Sequence, residues 1–147
     1  MMNQKVVVAS DHAGYDLKLK ITEYLKEKGY QVKDLGAYSD DSSDYPDFGC
    51  LLAEYLNDHG DEVGLSFCGT GNGISMAANK HPEIRSAVCW SPEIARLAKA
   101  HNNAHICSLP SRFISDEEAK LIVSSFLEAT FEGGRHLRRI NKLGTKH

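Results

Sequence analysis

The feature that most limits what this chain can fold into is a regular alternation. Five short apolar runs recur along it: KVVVAS (5–10), YQVKDL (30–35), VGLSFC (63–68), SAVCW (86–90) and HICSL (105–109). Each has strand length, and apolar residues at helical spacing follow most of them. Leu17, Ile21, Tyr24 and Leu25 form the first helical stripe, closed by Gly29. Phe48, Leu51, Leu52, Tyr55 and Leu56 form the second, and ISMAANK (74–80) begins a shorter helix. Ser91-Pro92-Glu93 has the order of a helix start, a capping serine before a proline and an acid. Ser115 and Glu118 make a capping-box pattern ahead of Ala119, Ile122, Val123, Phe126 and Leu127. Strands alternating with helices predict an α/β fold: a three-layer sandwich around a five-stranded parallel sheet. VGLSFC, apolar almost throughout, is expected at its centre.

The 147 residues fit one domain. At this length roughly 68–70% of the unfolded surface is hidden, so the fold needs no covalent staple. A net charge of −3 excludes a surface-wide nucleic-acid footprint. No apolar run approaches the ~20 residues that cross a bilayer, and the start, MMNQKVVVASDH, has no signal-peptide core. A cytoplasmic location is expected. Cys50, Cys68, Cys89 and Cys107 lie far apart without a C-x-x-C pair, so each thiol is read singly. The last stretch, 131–147, stands out, with Arg135, Arg138, Arg139, Lys142 and Lys146 against Glu132, a net +4. It adds little to a core, so it is expected to dangle or to dock on something.

In open α/β sheets, ligands collect beyond the carboxyl ends of the strands. Three polar stretches fall there: Ser10-Asp11-His12, the run from Cys68 to Gly73, and Pro110-Ser111-Arg112. Glycines at 69, 71 and 73 suit a turn whose amides, with the helix that follows, hold an anion. The run lacks the third glycine of a dinucleotide fingerprint, because Ile74 stands there, and it lacks the G-K-[ST] of a P-loop. Ile74 also stands where a phosphatase loop needs arginine. The simpler reading is a tight turn. Cys68 opens the run, where helix-terminal amides favour a thiolate; the simpler reading there is a small core residue. Cys50, Cys89 and Cys107 fit that simpler reading better. No Cys/His spacing resembles a zinc site, so no metal is expected. Arg135 and Arg139, four apart, share a helix face and suit a phosphate grip.

Together, SDHAGYDLK, DYPD, CGTGNGIS, AANK, AHNNA, PSR and EGGRHLRR resemble the ribose-5-phosphate isomerase B family. That group of sugar-phosphate isomerases also includes galactose-6-phosphate isomerase subunits. The likeness spans nearly the whole chain. It implies a Rossmann-like sandwich that forms a homodimer, sometimes a dimer of dimers, with active sites built from both subunits. It also implies cofactor-free, metal-free interconversion of ribose 5-phosphate and ribulose 5-phosphate, a step of the pentose phosphate pathway. By the resemblance, Cys68 is the base moving a proton between C2 and C1, and Thr70 and His101 open the sugar ring. Asn102 meets substrate oxygens, and the amides of Gly69, Thr70, Gly71, Asn72 and Gly73 cradle the enediolate. Asp11 and Tyr45 match sugar contacts; His12, Arg112, Arg135 and Arg139 match the phosphate grip. The basic tail is expected to dock on the partner subunit. Ile74 stands where a second branch carries a glutamate base, which places this chain with the cysteine branch; Pro110 stands where glycine is frequent. Two alternatives remain at this point: an isomerase of a six-carbon phosphate such as allose or galactose 6-phosphate, and a non-catalytic sugar-phosphate binder.

Overall fold

Residues 4–144 are described by the structure, a computed structural model; Lys146 of the basic tail lies outside them. Period-two alternation builds its sheet. In β1 (Lys5–Ser10), Val6 and Val8 face one side while Val7 and Ala9 face the other, and all four are buried. β1 pairs in parallel with β2 (Gln31–Asp34) and with β3 (Val63–Cys68). β3 pairs with β5 (Ile106–Pro110), which pairs with β4 (Ser86–Val88), giving the order β2-β1-β3-β5-β4. The five-stranded parallel sheet is thus as the alternation predicts, with VGLSFC at its centre.

Helices cover both faces. Leu17, Ile21 and Leu25 of α1 (Tyr15–Glu27) pack against Val6, Val8, Leu65 and Phe67. Ala95 and Ala98 of α4 (Pro92–Ala100) share that layer with Ile122, Val123 and Phe126 of α5 (Asp116–Glu128). On the other face, Leu52, Ala53 and Leu56 of α2 (Tyr45–Asn57) and Ala78 of α3 (Asn72–Asn79) meet Val7, Ala9 and Ile106. The expected stripe on α2 is too wide at one position: Leu51 is exposed, one residue off the buried line of Leu52 and Leu56. The caps behave as their residue types demand. Ser91 accepts from the Ile94 amide at 3.2 Å, and Ser115 and Glu118 form a complete capping box. Charge also enters the interior. Lys18 of α1 is fully buried, and its Nζ donates to Asp34 Oδ1 at 2.7 Å and to the Ala37 carbonyl. A last short helix, α6 (Arg135–Ile140), follows α5 at the far end of the molecule.

Candidate active site

The topology fixes where a site forms. From β1 the chain moves outward to β2, then returns across β1 to β3. The helices that leave β1 and β3 therefore lie on opposite faces, and a crevice opens between the carboxyl ends of those two strands. Cys68 is the last residue of β3 and only 4% exposed. The Gly71 amide donates to its sulfur at 3.2 Å, and the Asn72 amide donates to Thr70 Oγ1 at 3.2 Å. Two amides of the glycine run are thus already engaged inside the loop.

Glycine is required at two points of this turn. Gly71 has φ +76°, and a Cβ there would lie 3.2 Å from the backbone of Leu109 and Pro110. At Gly73, a Cβ would come within 2.6 Å of the Tyr45 ring, which stands at the start of α2 against the run.

Asp11 follows β1 at the same end. It is buried, its amide donates to the Phe67 carbonyl, and its Oδ1 accepts from the Gly14 amide at 3.1 Å. His12 is pinned by Ser43, whose Oγ accepts from the His12 amide at 3.0 Å and whose own amide donates to His12 Nδ1 at 3.2 Å. Ser43 lies 31 residues away in a polar loop, and nothing local in the sequence announces the contact. Pro110 ends β5 opposite Cys68. The turn beyond it is tied to β3 by amide bonds from Ser111 to the Cys68 carbonyl and from Arg112 to the Gly69 carbonyl, at 2.9 and 3.0 Å. The Arg112 guanidinium lies against Gly69, with Nη1 3.1 Å from where a Cβ there would sit. Proline in place of glycine leaves Arg112 on this site.

The other expected residues are elsewhere. α4 runs antiparallel to the strands, so its C-cap, His101, lies at their amino ends. Arg85, just before β4, holds this end by donating to the carbonyls of Asn102 and Asn103 at 2.9 and 3.0 Å. In the β3–β5 register, Gly64 faces Ile106 and Cys68 faces Pro110. That interval alone spans about 13 Å of strand, and His101 lies beyond its start. Arg135 and Arg139 are on α6 at this same end, where the Glu132 amide donates to the Ala100 carbonyl at 2.9 Å. A cleft of about 220 Å³ there is lined by His101, Asn102, His136, Arg139, Ile140 and Leu143. One chain therefore assembles Asp11, His12, Tyr45, Cys68 to Gly73 and Arg112 at one end of the sheet. It assembles His101, Asn102, Arg135 and Arg139 at the other. It does not bring the two groups together.

Two residues around His101 were not singled out by sequence. The rings of His101 and His136 stack with centroids 4.1 Å apart. Glu132 Oε1 lies 3.7 Å from His101 Nε2 and 3.6 Å from His136 Nε2. Burial pulls the His136 pKa below the usual imidazole value, with the charges of His101 and Arg135 acting the same way and Glu132 opposing.

Relatives agree with this architecture. Ribose-5-phosphate isomerase B of Escherichia coli is 41% identical over 142 residues, covering 95% of this chain and 94% of its own. The solved ribose-5-phosphate isomerase B of Clostridium thermocellum superposes with a TM-score of 0.94 at 45% identity, over 96% of this chain and 95% of its own. That of Mycoplasma genitalium, solved with bound ribulose-5-phosphate, gives 0.92 at 46% identity, over 98% and 96%. A family model described as Ribose/Galactose Isomerase matches residues 6–143. By that match and by identity over nearly its whole length, the chain belongs to the ribose/galactose isomerase family.

Proposed function

We propose that this chain is a cytosolic aldose–ketose isomerase that interconverts ribose 5-phosphate and ribulose 5-phosphate, with Cys68 as the base. The observation that carries the reading is Cys68 itself. It ends the central strand at the topological switch point, with a backbone amide on its sulfur, at the end of the sheet that also carries Asp11, His12 and Arg112. Isomerisation requires a base at the carbon beside the carbonyl and donors aimed at the oxygen that gains charge. The Cys68 thiolate takes the C2 proton of the open aldose. Electrons from that C–H bond form the C1–C2 double bond of an enediolate, whose charge rests on oxygen near the turn's amides. The thiol then returns the proton to C1 while the C2 hydroxyl proton passes to O1, leaving a hydroxyl at C1 and the ketone at C2. No net redox change occurs.

The phosphate lies at the other end of the sugar, where His12 and Arg112 supply hydrogen-bond donors and charge; binding energy there orients the reacting carbons. His101, Asn102, Arg135 and Arg139 cannot reach this site within their own chain. The proposed unit is therefore a two-fold dimer in which one protomer's far end, with its basic segment, docks over its partner's Cys68. His101 and Thr70 then flank the ring oxygen and anomeric hydroxyl, and Arg135 and Arg139 complete the phosphate grip. The relative solved with ribulose-5-phosphate supports the five-carbon substrate.

A direct assay tests this: ribulose 5-phosphate formation from ribose 5-phosphate with a chelator present, beside allose and galactose 6-phosphates. Preferred turnover of the pentose is expected. Preferred turnover of a hexose phosphate, or binding without turnover of any, would overturn it.

A further inference from the structure

We propose that His101, Glu132 and His136 form a zinc-binding site that takes His101 out of catalysis when occupied. Their ligand atoms all lie within 4.8 Å of one another. Two imidazoles and one carboxylate are a ligand set zinc accepts, leaving a fourth position for water. With Zn–N and Zn–O distances of 2.0–2.2 Å, tetrahedral ligand atoms stand about 3.3 Å apart. Glu132 Oε1 is already 3.7 and 3.6 Å from the two Nε2 atoms, so a shared ion needs His101 to rotate out of its near-parallel stack on His136.

A second observation points to a ligand. His136 is 7% exposed, and its Nε2 has no hydrogen-bond partner among the described residues, although it is aimed at this cluster. An orphaned buried nitrogen has a cost that a metal bond removes. The frame is rigid where it matters. The Glu132 amide is bound to the Ala100 carbonyl, and the His136 amide to the Gly133 carbonyl. His101 is the half-exposed member, free to turn from its stack on His136 toward the ion. The site draws on a helix end and a segment some thirty residues later, which is why no ligand spacing in the sequence reveals it.

Zinc held here would withdraw the imidazole proposed above for ring opening, making the ion a reversible inhibitor. That consequence rests on the proposed function; the binding site does not.

The test uses Co²⁺ as probe, because four-coordinate Co²⁺ absorbs strongly in the visible. It is added to the untagged full chain carrying Cys68→Ser, which removes the competing thiolate. Visible bands should saturate at one ion per chain and be displaced by Zn²⁺. Adding Glu132→Gln or His136→Gln should weaken binding at least about tenfold. Glu132 is surface-exposed, so its variant stays informative if the buried His136 variant folds poorly. The proposal is overturned by the absence of saturable bands, or by bands that Glu132→Gln leaves unchanged.

Discussion

Gly71 and Cys68 act as one unit, since the amide reaches the sulfur only through a backbone turn at φ +76°. Alanine at 71 would be strained by about 1–2 kcal/mol in that region and would press on the Leu109–Pro110 backbone. Gly71→Ala should therefore lower both the melting temperature and kcat. Cys68→Ser should leave melting nearly unchanged while turnover falls by roughly 10²–10⁴, the usual contribution of a positioned base. Unchanged kcat in Cys68→Ser would remove the thiol from the mechanism. At this scale the sequence was most legible where chemistry sits on consecutive residues. Cys68, its glycines and Asp11 follow strand ends, and a strand end can be read from an apolar run. Ser43 beside His12, and Glu132 with His136 around His101, could not be read so, because folding brings them from distant segments.

Among elements, helix starts were legible because their capping chemistry is local, whereas strand ends drifted by a residue or two. SAVCW contributes only Ser86–Val88 to the sheet, and β5 runs on through Pro110 because pairing to Cys68, not apolarity, sets its end. The start of the β4–β5 pairing also carries a pH dependence. His105 Nδ1 accepts from the Arg85 amide at 2.9 Å, so it must be unprotonated there. Burial, aided by Arg85 and Lys99, lowers the His105 pKa from 6.5 to about 4. The unfolded chain therefore takes up this proton first, and stability present above about pH 6.5 is lost as pH falls toward 4. Urea midpoints measured across that window should fall, and His105→Gln should make the fall shallower. An identical slope in the variant would assign the acid sensitivity to other groups. Lys18 is a second element-level test. Lys18→Met removes the cation that pairs with Asp34 inside α1's contact with the β2 end, and should cost roughly 1–3 kcal/mol in chemical denaturation, since the Asp34 carboxylate left behind is partly solvated. A change below about 1 kcal/mol would mean the pair is no stronger than a surface contact.

For the whole molecule, what matters is that the two halves of the proposed site lie at opposite ends of one sheet. The sequence order could not show this, since His101 follows Cys68 by only one strand and two helices. The direction of α4 decides it, by carrying His101 back to the amino ends of the strands. A shared site makes a prediction that no single-chain site shares. Cys68→Ser and His101→Asn chains, each inactive alone, are unfolded together and refolded as a mixture. Half of the dimers should be mixed, and each mixed dimer has one site with both Cys68 and His101 intact. Ribose 5-phosphate isomerisation should then return to about a quarter of the parental level, while the double variant mixed with itself stays inactive. If the mixture remains as inactive as its components, with mixed dimers demonstrated by mass, Cys68 and His101 do not act across the subunit boundary and the shared-site account is wrong.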